Sequence, residues 1–307
     1  MLACASLLVA CGGSPGSSGG SGIPGGSGDS NGGESTTSGP AYNMPGSVAL
    51  VAFNEGAAQT GNECAIDTSQ LAQGVVGASA RSDARLKFQV VKGEMSYNYD
   101  LPGDGTPIIV PINMGDGPYT FRVMQNTSGN NYVELFSVIE NVNLSSETAP
   151  FLVPNMFVNY NESSAVVAKA RELAQGAANQ GDVVRNIYQW VVDNITYDHD
   201  KAAKLASATG YVPDPDATLA SGTGICFDYA SLGAAMLRSL GIPCQVITGY
   251  VSPDDVYHAW NMVYIDGEWI SVEISIKPNS WTRVDLTFAA SGAASTIGDG
   301  TSYTDRY

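Results

Sequence analysis

The chain has 307 residues, a formal net charge of −16 and only 14 Lys and Arg. Nucleic-acid affinity rests on cationic neutralisation of phosphates, so that partner is excluded as an expectation. The length corresponds to about two domains. No EF-hand or Cys/His ligand spacing turns the acidic surplus into a metal site, so neither metal nor cofactor is expected.

In chain order, residues 1–11 form an apolar run that closes on Leu8-Val9-Ala10-Cys11. The run has the character of a secretory h-region. The tetrapeptide resembles a bacterial lipobox, which implies lipidation of Cys11 and attachment to the outer face of a bacterial cytoplasmic membrane. A plain apolar leader is the alternative. Residues 12–40 are almost wholly Gly, Ser, Pro and Thr and read as a flexible tether that buries too little apolar surface to fold.

Residues 41–158 carry short alternating runs, "RLKFQVV", "MSYNYDL", "YTFRVMQ" and "NYVELFSV", separated by "PGDG", "GDG" and "NTSGN". That pattern predicts an antiparallel β-sandwich. The segment has no histidine, and its one cysteine, Cys64, has no base near it in sequence. A spacer or ligand-binding module is the expectation.

Residues 159–307 change texture. Apolar spacing predicts helices over 164–176 and 183–195, the second capped by Asp182, and a third over 225–240 that stops at Gly241 and Pro243. Only Asp228, Ser231 and Arg238 mark a polar edge on the third helix, so it is expected to be largely buried. Four strands follow, "CQVITGYV", "YHAWNMVYI", "EWISVEISI" and "WTRVDLTF", with Asp266-Gly267 as a hairpin signal between the second and third. Helices followed by an antiparallel sheet make the fold class α+β.

Cys226 falls where "SGTG" gives way to the third helix. Free N–H groups and the helix dipole at such a position stabilise a thiolate, the nucleophilic form. The chain has two histidines. His199 in "YDHDK" reads as a solvated loop residue, whereas His258 opens a strand with Trp260, Met262 and Tyr264 on its face. Paired with Cys226, His258 is a candidate proton acceptor. Asp228 reads as a carboxylate favoured by the helix dipole, Trp260 as a cleft or packing residue, and Asp254 and Asp255 as solvated. Cys244 reads as core, and a Cys64–Cys244 bridge stays open.

The runs "GTGICFDYASLGAAMLRSLGIPCQVITGYV", "YHAWNMVYIDGEW" and "WTRVDLTF" resemble the transglutaminase-like superfamily, which includes transglutaminases, related cysteine peptidases and peptide N-glycanases. The wider pattern is similar to lipid-anchored transglutaminase-like proteins of Gram-positive bacteria. The resemblance implies a papain-like core of helices packed on an antiparallel sheet, with a Cys-His-Asp triad. Cys226 and His258 carry over directly. Asp285, inside the W-x-x-x-D-x-T-F pattern, is the expected third member, with Glu273 as the alternative. The implied activity is acyl transfer from a peptide or glutamine-type carboxamide of a protein or peptide substrate through a thioester. Hydrolysis is the expected outcome; protein cross-linking to an amine, and a non-catalytic surface-binding role for the β domain, are the alternatives.

Overall fold

A computed structural model of the chain describes residues 39–206, 208–251, 256–272 and 303–306. The first half is built from two antiparallel four-stranded sheets. Its strands are β1 (Gln59–Gly61), β2 (Cys64–Asp67), β3 (Val75–Ala80), β4 (Leu86–Lys92), β5 (Met95–Leu101), β6 (Ile108–Pro111), β7 (Gly117–Ser128) and β8 (Asn131–Val142). They are ordered β1-β2-β3-β6 and β5-β4-β7-β8. Successive side chains of a strand point to opposite faces, and here one face of each goes inside. Leu86, Phe88 and Val90 of β4, with Tyr119, Phe121 and Val123 of β7, share one buried cluster with Val76 and Ala78 of β3. Phe88 faces Val123 and Phe121 faces Val90 across β4 and β7, so the two phenylalanine rings are diagonal neighbours, 6.5 Å apart.

The second half begins with α1 (Ala165–Leu173), α2 (Gln180–Asn194), the two-residue strand β9 (Thr196–Tyr197), α3 (His199–Leu205) and α4 (Pro215–Ser221). It continues with β10 (Thr223–Gly224), α5 (Cys226–Ser239), β11 (Cys244–Val251), β12 (Val256–Ile265), β13 (Glu268–Val272) and β14 (Tyr303–Arg306). The sheet is antiparallel in the order β13-β12-β11-β14, and α5 packs across β11 and β12. This is the α+β arrangement expected, with helices on an antiparallel sheet.

Several local expectations meet the structure directly. Asp266 and Gly267 have φ of 54° and 84°, the two positive values a two-residue I′ hairpin requires, and they join β12 to β13. At the end of α5, Gly241 takes φ 76°, its N–H donates to Arg238 O and Ile242 N–H donates to Leu237 O, the paired bonds of a Schellman cap. All fourteen residues of α5 are buried.

Other expectations are corrected. The cap of α2 is Asn179, whose side chain accepts from Asp182 N–H at 2.9 Å. Asp182 lies one turn in and accepts from Ala178 N–H, so the helix starts three residues earlier than Asp182 implied. His199 is exposed but begins α3 instead of sitting in a loop, because Asp198 caps that helix by accepting from Lys201 N–H. The polar edge of α5 is buried with the rest of the helix, as expected, and its groups are satisfied by backbone. Ser231 Oγ donates to Phe157 O and Arg238 to Val153 O, so this stripe of α5 binds the backbone that leads out of the β half, and Arg238 also donates to Cys244 O at the start of β11. Cys64 and Cys244 are both buried and free.

The two halves are interleaved. Residues 40–48 precede β1 yet run along the helical half: Tyr42 N–H donates to Ala178 O, Gln180 N–H to Pro40 O, and Val48 N–H to Glu162 Oε2. No helix among the described residues is long and apolar enough to cross a membrane. Cys11, most of the tether, Asp254, Asp255, Glu273 and Asp285 lie outside the described residues.

Candidate active site

The approach to Cys226 is fixed by backbone. β10 pairs in parallel with β9, and Thr196 N–H and Asp198 N–H donate to Gly222 O and Gly224 O at 2.8 and 2.9 Å. Gly222 turns the chain out of α4 with φ 66°, and Ile225 enters α5 extended. Cys226 is therefore the first residue of α5, where backbone N–H groups have no acceptor within the helix and the dipole is positive. It is 8% exposed. Gly224 answers a steric demand, since a Cβ there would come within 2.7 Å of the Asp228 Cβ.

Asp228 is more than a dipole complement. It is fully buried, accepts from Ile225 N–H at 2.8 Å, and pairs with Lys201 Nζ at 2.7 Å. Tyr211 donates its hydroxyl to the same carboxylate. Burial, and next the bond to Asp228, push the Tyr211 phenol far above its ordinary range.

His258 lies on β12 opposite Gly249 of β11. Its ring stacks with Trp260 at 6.4 Å and 15°. Cys226 and His258 line one small cleft, and Trp260, Tyr229, Tyr188 and Asn261 contribute to its walls. His199 is not part of it; its ring meets Tyr197 edge-on at 4.9 Å. Among the described residues no group of three or more His, Cys, Asp and Glu side chains could hold a metal.

Asn261 and Tyr188 are the site residues that sequence reasoning passes over. Asn261 is 2% exposed and sits on the face of β12 that otherwise carries Ala259, Val263 and Ile265. Its Nδ2 donates to Ala230 O of α5 and Gln245 O of β11, and its Oδ1 accepts from Tyr188 OH at 2.7 Å. The signal was the one amide interrupting an apolar stripe. Cys244 is core: burial, eased by Arg238 and Tyr188, pushes its thiol up to about 12.

The transglutaminase-like superfamily model matches residues 167–274, which span α1 through β13 and hold both Cys226 and His258. The chain thus carries a transglutaminase-like domain. It is 25% identical over 199 residues to a UPF0252 protein of Methanocaldococcus jannaschii, covering 61% of this chain and 54% of that one. It is 30% identical over 112 residues to the kyphoscoliosis peptidase of Mus musculus, covering 33% of this chain and 16% of that one. The chain thus spans little more than half of the first relative and a small part of the second. A solved structure of a candidate cysteine protease from Cytophaga hutchinsonii is 19% identical and covers 64% of this chain and 73% of that one. Its TM-score of 0.35 is too low to carry an argument.

Proposed function

We propose that the protein is a thiol-dependent acyl-transfer enzyme acting on peptide or glutamine-type carboxamides. The observation that carries this reading is Cys226 at the first turn of α5 lining the same cleft as His258. His258 takes the Sγ proton, and the thiolate attacks the carboxamide carbonyl carbon. Collapse breaks the C–N bond, His258 returns the proton to the departing amine, and a thioester remains on Cys226. Water then attacks that thioester, His258 again accepts and returns a proton, and a free acid and thiol result. The Cys226 N–H serves the oxyanion, and Asp285, or Glu273 in its place, holds the imidazole tautomer.

Hydrolysis is favoured over cross-linking, a choice supported by the peptidase name of one relative. Lipidation at Cys11 places the enzyme at the outer face of a bacterial membrane in this reading. Incubation with a glutamine-containing peptide, with and without a labelled primary amine, tests the reaction. Release of ammonia that disappears in the Cys226→Ala variant is expected; amine incorporation outrunning hydrolysis overturns the preference for water. No turnover of peptide or carboxamide by the unaltered protein, with Cys226 alkylating no faster than an ordinary thiol, overturns the enzyme reading itself.

A further inference from the structure

Asp228 presents a cost that capping alone does not explain. A carboxylate in the first turn of a helix gains from the dipole while remaining in water, yet this one is 0% exposed. Ile225, the residue it bonds, has no side-chain acceptor with which to reciprocate, so only one half of a capping box is made. A buried charge is tolerated only when paired and fully hydrogen-bonded. Three separate segments meet that demand. Ile225 N–H comes from the turn into α5, Lys201 Nζ from α3, and the Tyr211 hydroxyl from the stretch ahead of α4. Lys201 Nζ also lies 4.9 Å from the Tyr211 ring centroid, which ties the two partners to each other.

We propose that Asp228, neutralised by Lys201 and oriented by Tyr211, is a positioning residue for Cys226. It holds the Ile225 N–H, and with it the entry of the peptide into the nucleophile, in one orientation. Lys201 keeps the carboxylate's charge from opposing a thiolate two residues away. The charged and titratable groups facing this unit are Lys201 from α3, Tyr211 and Asp214 ahead of α4, and Tyr229 within α5. The inference rests on Cys226 being the nucleophile.

The test is a charge cycle read at one sulfur. The rate of iodoacetamide alkylation at Cys226, resolved by peptide mass, is followed against pH for the unaltered chain, Lys201→Met, Lys201→Arg and Lys201→Met/Asp228→Asn. Lys201→Met leaves an uncompensated buried carboxylate, so the profile moves to higher pH and the neutral rate drops by about tenfold. Lys201→Arg keeps the unaltered profile. The double variant removes both charges and recovers most of the rate, whereas a merely structural pair gives a double variant no better than the single. Coincident profiles for Lys201→Met and the unaltered chain, or a double variant as slow as the single, overturn the proposal. If Lys201→Met does not fold, Tyr211→Phe removes one donor without changing charge: a slower rate at every pH with an unmoved profile supports positioning, and an unchanged rate overturns it. Slow alkylation of the unaltered chain is a different failure, that of the nucleophile itself.

Discussion

Asn261 ties three elements together with a single amide, and the space for it is made by Gly233. Glycine in the middle of a helix costs about 1 kcal/mol against alanine. Here a Cβ at Gly233 would stand 3.0 Å from Asn261 Oδ1 and 3.1 Å from Tyr188 OH. Asn261 cannot move aside without stretching its bonds to Ala230 O and Gln245 O. Gly233→Ala is therefore expected to destabilise by about 1–2 kcal/mol in chemical denaturation despite alanine's better helix propensity. A gain in stability would show that the amide yields. Asn261→Asp makes a sharper change, because a carboxylate cannot donate to those two carbonyls. A loss of about 3 kcal/mol or failure to fold is expected, measured by thermal melting. At this scale legibility followed chemistry. Cys226 and His258 stood out as candidates because cysteine and histidine are rare in this chain and sit in a recognisable setting, and they do line one cleft, whereas Asn261, Tyr188 and Lys201 act through long-range partners that spacing does not reveal.

At the scale of elements, what local chemistry decides was readable and what tertiary contact decides was not. The Asp266-Gly267 turn and the Gly241 cap announce themselves because only certain residues accept positive φ. The start of α2 was misplaced since Asn179 and Asp182 are both competent caps, and their bonds to backbone choose between them. Short α3 and α4 have too few turns for a clear period, and their starts depend on Asp198 and Asp214 as caps. The junction of α5 with β11 also carries a pH consequence. Cys244 titrates near 9.0 when solvated and is pushed up to about 12 by burial, and burial likewise raises Tyr42 to about 12. A raised folded value means the unfolded chain loses its proton first, so the contribution is complete below pH 9 and is lost as pH rises toward 12. Stability against urea is expected to be level near neutrality and to fall above pH 9, by up to about 1.4 kcal/mol per pH unit for the fully buried Cys244 and by less for the half-buried Tyr42. Cys244→Ala flattens that slope; an unchanged slope would remove Cys244 as a source.

On the scale of the molecule, the β half is part of what shapes the helical half. Phe157 lies 6.0 Å from Tyr99 of β5 and 5.6 Å from Phe227, the residue after Cys226, and Tyr211 meets Phe227 edge-on at 6.4 Å. A Cβ on Gly210 would stand 2.7 Å from Asp100 Oδ2, so the segment carrying Tyr211 lies directly against β5. Residues 40–48 close the arrangement from the other side, with Tyr42 OH donating to Leu240 O at the end of α5. None of this was visible in a sequence whose composition divides at residue 158, because a composition boundary says nothing about which chain segments touch. Two consequences separate an interleaved molecule from two domains on a string. The unaltered chain is expected to unfold in a single calorimetric transition, with a chain beginning at residue 49 melting lower by about 5 °C for the loss of ~2 kcal/mol of backbone bonding. Phe157→Ala opens a cavity between the halves and costs about 3–5 kcal/mol. It is expected to split the single transition into two and to slow Cys226 alkylation in the same preparation, since the ring that loses its partner belongs to the residue beside the sulfur. Two transitions already present in the unaltered chain, or a Phe157→Ala protein with unchanged alkylation, would mean that the β half stands beside the active site without supporting it.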